Sequence, residues 1–201
     1  MSQTNPTTGP LTVVLVHGAF ADASSWTGVI ERLQKAGVQV TAPANPLRGI
    51  ASDSAYIASF LTQIPGPVLA VGHSYGGAVI STAATKASNV VGLVYVAAFA
   101  TEEGERLGDV ENGSKDSVLN SALVTLKYPT GQGAQTAVEF AVNPARFHDA
   151  FAADLPTAQT TLMATTQRPA AELAFSEPAG VPAWKLSLIH ISEPTRQAEI
   201  S

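Results

Sequence analysis

Over the first hundred residues, short apolar runs alternate with amphipathic stretches. Leu11-Thr12-Val13-Val14-Leu15-Val16 is nearly continuous, β-branched and too short for a helix. Such a run reads as a strand buried on both faces, the pattern of a parallel sheet. His17-Gly18-Ala19-Phe20 ends it, and Trp26, Val29, Ile30 and Leu33 then recur at helical spacing, with Ser24 or Ser25 able to cap the start and Gly37 the end. Val38 to Ala42 is a second strand, and the proline-containing stretch from Pro43 to Ala51 is a loop. Ser52 or Asp53 caps a second helix that carries Ile57, Phe60, Leu61 and Ile64 on one face and stops at Pro65-Gly66-Pro67. Val68 to Val71 is a third strand, a small-residue helix runs from Ala78 to Ala87, and Val90 to Val96 is a fourth strand. Strands alternating with amphipathic helices predict an α/β fold, a parallel sheet with helices on both faces.

The pattern changes near Thr101. Residues 101–178 show no clear buried strand and are interrupted at Pro129, Gly131, Gly133, Pro144, Pro156 and Pro169. They are expected to form a helical lid above the carboxyl ends of the strands, where open α/β sheets place their active sites. In it, Phe147, Phe151 and Leu155 fall on one helical face and either meet substrate or pin the lid to the body. The chain divides into residues 1–100 as the first part of the core, 101–178 as the lid, 179–185 as the start of the returning core, and 186–201 as a tail of different character.

A net charge of −5 argues against nucleic acid or an anionic membrane as partner. With no cysteine there is no disulfide framework and no thiol nucleophile. Met1 to Pro10 lacks a signal pattern, so a cytoplasmic protein is expected. Gly131-Gln132-Gly133 has no third spaced glycine, and no phosphate loop or paired histidines occur, so no cofactor and no metal is implied.

The chemistry centres on Gly72-His73-Ser74-Tyr75-Gly76-Gly77. A strand that turns sharply into a helix leaves the turn residue strained and pointing out of the sheet. Glycines two residues on either side let the backbones pass. The serine hydroxyl is then presented at a helix head, where free N–H groups and the dipole favour negative charge on an attacked carbonyl oxygen. This is the nucleophile-elbow pattern.

With Val14-Leu15-Val16-His17-Gly18-Ala19-Phe20 at the first strand, that elbow and the lid, residues 10–185 resemble the α/β-hydrolase superfamily. Within it the chain looks most like small, lid-bearing bacterial esterase-like proteins akin to plant hydroxynitrile lyases and methyl-ester esterases. The resemblance implies that Ser74 is the nucleophile of a carboxylic ester hydrolase acting on a small-molecule ester. It implies oxyanion donors at the backbone N–H of Tyr75 and at Ala19 or Phe20. His17 and Gly18 would orient the donor loop. Apart from the resemblance, Phe20, Trp26 and Tyr75 are candidates to line an apolar pocket, with Trp26 the more readily a core residue because it sits on the buried helix face. A hydroxynitrile-lyase-like enzyme and a non-catalytic ligand-binding protein are the alternatives on the same scaffold.

The family's acid and histidine follow the lid. After Ser74 the sequence offers only His148, inside the lid, and His190. Glu172 or Glu177 with His190 satisfies the family order. However, Leu186 to Arg196 resembles the translation of a sequencing-library adapter rather than the end of a hydrolase. Native sequence is therefore expected to stop near Lys185, leaving the chain without acid or base and inactive. The apolar alternation of Leu186 to Ile191 is nevertheless expected to lie beside the Val90 to Val96 strand.

Overall fold

In the computed structural model, which describes residues 9–113, 117–131, 133–186 and 189–193, the predicted strands line up side by side. Five parallel strands run in the order β2-β1-β3-β4-β8: β1 is Thr12–Val16, β2 Gln39–Thr41, β3 Val68–Ser74, β4 Val90–Ala98 and β8 Ile189–Glu193. Alternate residues of each strand face opposite sides. Val14, Val16, Val68 and Ala70 enter a large core with helices α2 (Ile50–Thr62) and α3 (Tyr75–Ala83). Val13, Leu15 and Val71 enter a smaller one beneath helix α1 (Thr27–Lys35), with Trp26, Ile30 and Leu33. Helices therefore cover both faces. Among the described residues, no helix is long and apolar enough to cross a membrane.

The strand at Ile189–Glu193 takes the expected place beside β4, with Gly92 opposite Ile189 and Val96 opposite Glu193. It begins later than expected, because Leu186 closes a 3-10 turn that starts at Ala183. Ser187 and Leu188 lie outside the described residues.

Other expectations need correction. Val29 is exposed, because α1 only rests on the sheet with Ile30 and Leu33. Asp22 rather than Ser24 or Ser25 caps the entry to that helix, accepting from the Ser24 N–H at 2.7 Å. The stretch 101–178 is not purely helical. It carries helices Leu107–Asn112 (α4), Leu119–Ala122 (α5), Phe147–Phe151 (α6), Thr157–Thr166 (α7) and Leu173–Ser176 (α8). It also holds a three-stranded antiparallel sheet of β5 (Leu123–Pro129), β6 (Thr136–Val142) and β7 (Ala170–Ala171). Gly131 and Gly133, both at positive φ, belong to the hairpin turn between β5 and β6 rather than to a break between helices.

The loop after β2 ties this segment to the body. Arg48 donates to Glu139 of β6 at 2.6 Å and to the Pro169 carbonyl at 2.8 Å, and lies over the Tyr128 ring. The Leu47 carbonyl accepts from the Ala171 N–H at 2.9 Å, and Glu177 accepts from the Ala51 N–H at the head of α2.

Among the described residues, four non-glycine residues have positive φ: Phe20 at 60°, Leu47 at 60°, Ser74 at 50° and Ala97 at 42°. Each sits at the carboxyl end of, or on the connection leaving, one of the first four strands. The left-handed region costs a side-chain-bearing residue on the order of 1–2 kcal/mol, so the strain of this fold is gathered on one rim.

Candidate active site

Ser74 is the last residue of β3 and the cap of α3, with φ 50° and ψ −123°. Four glycines allow that conformation. A Cβ on Gly72 would stand 2.6 Å from the backbone of Gly76 and Gly77. One on Gly76 would overlap the Val16 carbonyl oxygen and lie 3.0 Å from that of His17. One on Gly77 would reach Ala98 Cβ at 2.7 Å, and one on Gly18 would reach Ser74 Cβ at 2.8 Å and His73 Nδ1 at 3.1 Å. The elbow is thus pressed between β1 and the end of β4, and the Phe99 N–H donates to the Ser74 carbonyl at 3.2 Å.

Tyr75 opens α3, so its N–H has no intrahelical acceptor. Ala19 and Phe20 form a buried turn after β1, and among the described residues neither N–H donates a hydrogen bond. Buried N–H groups left without an acceptor are rare and cost about 1–3 kcal/mol each. Ala19 and Phe20 line the cavity that Ser74 also lines.

His17 is fully buried (0% exposed) and ties the turn after β1 to the loop after β2 by both ring nitrogens. Nε2 accepts from the Asn45 N–H at 2.9 Å, which leaves Nδ1–H to donate to the Gly18 carbonyl at 2.9 Å. Asn45 Nδ2 returns a bond to the His17 carbonyl at 3.0 Å. This pairing fixes the neutral Nδ1–H tautomer. Burial pushes the His17 pKa down, and burial does the same to His73, whose ring meets Trp26 edge-on. An imidazole whose folded pKa is depressed adds stability above 6.5 that is lost as pH falls below it. Urea unfolding at pH 7.5 and 5.5 should therefore show stability dropping by up to about 1.4 kcal/mol per pH unit for each imidazole. His17→Asn should flatten that slope, and an unchanged slope in the variant would remove His17 from the account.

Tyr75 does not line the pocket as expected. Its side chain turns into the core (0% exposed), and its hydroxyl donates to Asp53 at 2.7 Å. Asp53, also fully buried, further accepts from the Arg48 N–H at 3.0 Å and the Gly49 N–H at 3.4 Å. Gly49, not Ser52 or Asp53, is the cap of α2. Asp53 works one turn in, where its carboxylate ties the strained loop to the residue beside Ser74. Burial raises its pKa despite these donors.

Among the described residues, cavities of about 390 Å³ and 540 Å³ reach Ser74, with Phe151 and Leu119 in the wall of both. Phe20 lines the smaller; Trp26 and His73 line the larger. Phe151 therefore faces a site, while Phe147 is buried against it with ring centroids 4.7 Å apart. His148 Nδ1 sits 3.2 Å from Thr160 Oγ1 of α7, within the segment 101–178. Among the described residues, no imidazole or carboxylate hydrogen-bonds the Ser74 hydroxyl. The residues that sequence reasoning missed are Asn45 and Asp53, polar side chains in a loop and at a helix start. The only signal was their place beside the glycine-proline loop.

Residues 13–193 match the family described as "Alpha/beta hydrolase family". The carbendazim hydrolyzing esterase of a Nocardioides strain is 32% identical over 107 residues, 47% of this chain and 44% of that protein, so the chain spans less than half of the curated relative it matches. Polyneuridine aldehyde esterase superposes with a TM-score of 0.71 at 18% identity, covering 92% of this chain and 79% of its own. Tomato methylketone synthase I bound to 2-tridecanone gives 0.73 at 20% identity, covering 92% and 78%. A methylesterase from Arabidopsis gives 0.68 at 21% identity, covering 90% and 76%. At these identities the solved structures speak for the fold.

Proposed function

Because this chain belongs to the alpha/beta hydrolase family, we propose that it is an esterase-like hydrolase in which Ser74 attacks the acyl carbon of a small carboxylic ester. The observation that carries this reading is the strained Ser74 at the head of α3. It stands beside the buried, unengaged N–H groups of the Ala19-Phe20 turn. The ester carbonyl oxygen lies between the Tyr75 N–H and that of Ala19 or Phe20. As Ser74 Oγ bonds to carbon, the carbonyl electron pair moves onto that oxygen, where fixed donors and the helix head stabilise it. Each such donor is worth on the order of 10²–10³ in rate. His17, held neutral by Asn45 and the Gly18 carbonyl, keeps the turn in place; Gly18 leaves room for Ser74. The tetrahedral species then expels the alcohol, which takes the serine proton, and leaves an acyl-Ser74 ester for water to cleave. The name of the Nocardioides relative, a hydrolyzing esterase, points the same way.

No group among the described residues removes the Ser74 proton. An oxyanion hole without its relay retains only a small part of the catalysis, on the order of 10³–10⁴ over water. That observation supports a second reading, a hydrolase scaffold that binds esters without turning them over. Incubating these 201 residues with p-nitrophenyl butyrate and reading the peptides by mass spectrometry separates the two. We expect a butyryl group on the Ser74 peptide, long-lived because deacylation also lacks a base, and none in Ser74→Ala. Absence of the adduct, or labelling that survives Ser74→Ala, selects the binding-only reading.

A further inference from the structure

Five of the seven phenylalanines in the chain, Phe20, Phe99, Phe140, Phe151 and Phe175, line the same 390 Å³ cavity beside Ser74. They come from the turn after β1, the end of β4, β6, α6 and α8, so five distant segments converge on one aromatic wall. Their rings are already arranged for aromatic packing. Phe20 stacks on Phe175 at 6.0 Å with 21° between planes and meets Phe151 edge-on at 6.4 Å; Phe140 tilts against Phe175 at 6.5 Å. Aromatic pairs at such distances gain beyond what apolar area alone supplies. A cavity of about 150 Å³ holds one benzene ring. A volume of 390 Å³ therefore has room for a substituted or fused bicyclic ring. The mouth is different in kind. Glu111 and Asn112 of α4 and Asn120 of α5 line it, and the Glu111 carboxylate is held by the Ser117 hydroxyl. No Lys, Arg or His lines this cavity among the described residues. Among the described lining residues, an anionic group entering there meets a like charge and no cation.

Resting on the esterase reading above, we propose that one half of the ester is an uncharged mono- or bicyclic aromatic group seated in this cavity, and that Glu111 excludes anionic congeners. Three ketone analogues, which have no leaving group, test this on the full chain by calorimetric titration: 2-acetylnaphthalene, its saturated counterpart acetyldecalin, and 6-acetyl-2-naphthoate. The neutral aromatic should bind about tenfold tighter than the saturated compound, the factor that one good aromatic pair supplies. Phe140→Leu and Phe175→Leu, which keep apolar bulk, should each weaken it several-fold, while Phe60→Leu, outside the cavity, leaves it unchanged. Glu111→Gln should raise the affinity of the naphthoate several-fold and leave the neutral compound alone. Equal affinities for the aromatic and saturated compounds, or indifference to both phenylalanine variants, would overturn the aromatic assignment. Should those variants fail to fold, the compound pair and Glu111→Gln still decide. The Ser74 adduct and the aromatic selectivity are read in separate experiments. Intact aromatic selectivity with no Ser74 adduct would therefore sink the esterase reading and keep the pocket, and an adduct without selectivity would do the reverse.

Discussion

Gly76→Ala should destabilise the chain by about 3 kcal/mol or more, at the upper end of what overpacking costs. The new Cβ would overlap the Val16 carbonyl oxygen and crowd that of His17. Both atoms are backbone of β1 and the residue that follows it, and Val16 is paired with Gly72 of β3. No side chain can swing away, so α3 and β1 have to part, and the Ser74 elbow opens with them. Folded domains hold only about 5–15 kcal/mol in total. The check is urea unfolding, with the midpoint falling at constant slope. Gly28→Ala is the matched control. Its Cβ would meet only Arg32 Nη1 at 3.2 Å, the movable end of a flexible side chain. Inside α1, alanine is favoured over glycine by about 0.5–1 kcal/mol, so this variant should be neutral or stabilised. Equal losses in the two variants would show that the elbow contact is not what matters.

The second large effect belongs to Asp53. Asp53→Ala leaves the Tyr75 hydroxyl and the Arg48 and Gly49 N–H groups without their acceptor. At about 1–3 kcal/mol for each buried orphan, partly recovered by relaxation, the loss should be about 3 kcal/mol. Asp53→Asn should lose far less. Its Oδ1 accepts from Arg48, and its amide donates to the Tyr75 oxygen once that hydroxyl rotates. The pH dependence has a definite sign. Burial raises the folded pKa of Asp53 above its ordinary 3.8. Its contribution is therefore fully present below 3.8 and shrinks as pH rises through the folded value, because the unfolded carboxyl ionises first. Asp53→Asn should remove that decline, while His17 and His73 keep their opposite slope below 6.5. Unfolding free energies of parent and variant from pH 3.5 to 7 give both slopes, and parallel curves would dismiss the buried carboxyl as their source.

The parallel sheet was legible because its central strands, β1 and most of β3, are buried on both faces. Val13 to Val16 and Val68 to Val71 are unbroken apolar runs whichever side one views, and the glycines of the elbow admit few other conformations. The small antiparallel sheet was hidden by the opposite circumstance. Leu123 to Pro129 and Thr136 to Val142 are thin, half-exposed strands whose side chains only partly alternate, with Lys127 and Glu139 set among apolar residues. Their prolines and glycines mark a hairpin turn as readily as a helix break. Phe20 and Phe151 stood out as residues near a site, but the convergence of Phe99, Phe140 and Phe175 upon them depends on contacts between distant segments. Asn45 and Asp53 were out of reach for a related reason. A buried polar side chain is recognised by its partners, and those that link these two to the site, His17 and Tyr75, lie 28 and 22 residues away.

The rim of positive-φ residues bears on how this protein could change. Phe20, Leu47, Ser74 and Ala97 each hold a conformation that asparagine or glycine adopts more easily. Selection for heat resistance alone would reach first for these positions. Relaxing Phe20 would let the donor turn drift, and relaxing Leu47 would loosen the seat of Arg48 and Asp53. Ala97 has an exposed methyl group, but it lines the larger cavity that reaches Ser74, so relaxing it would reshape that wall. A lineage under thermal pressure is thus offered four steps, each of which trades durability against the surroundings of Ser74. Laboratory evolution of this chain should find its room for improvement on the distant ends of the strands, away from the rim.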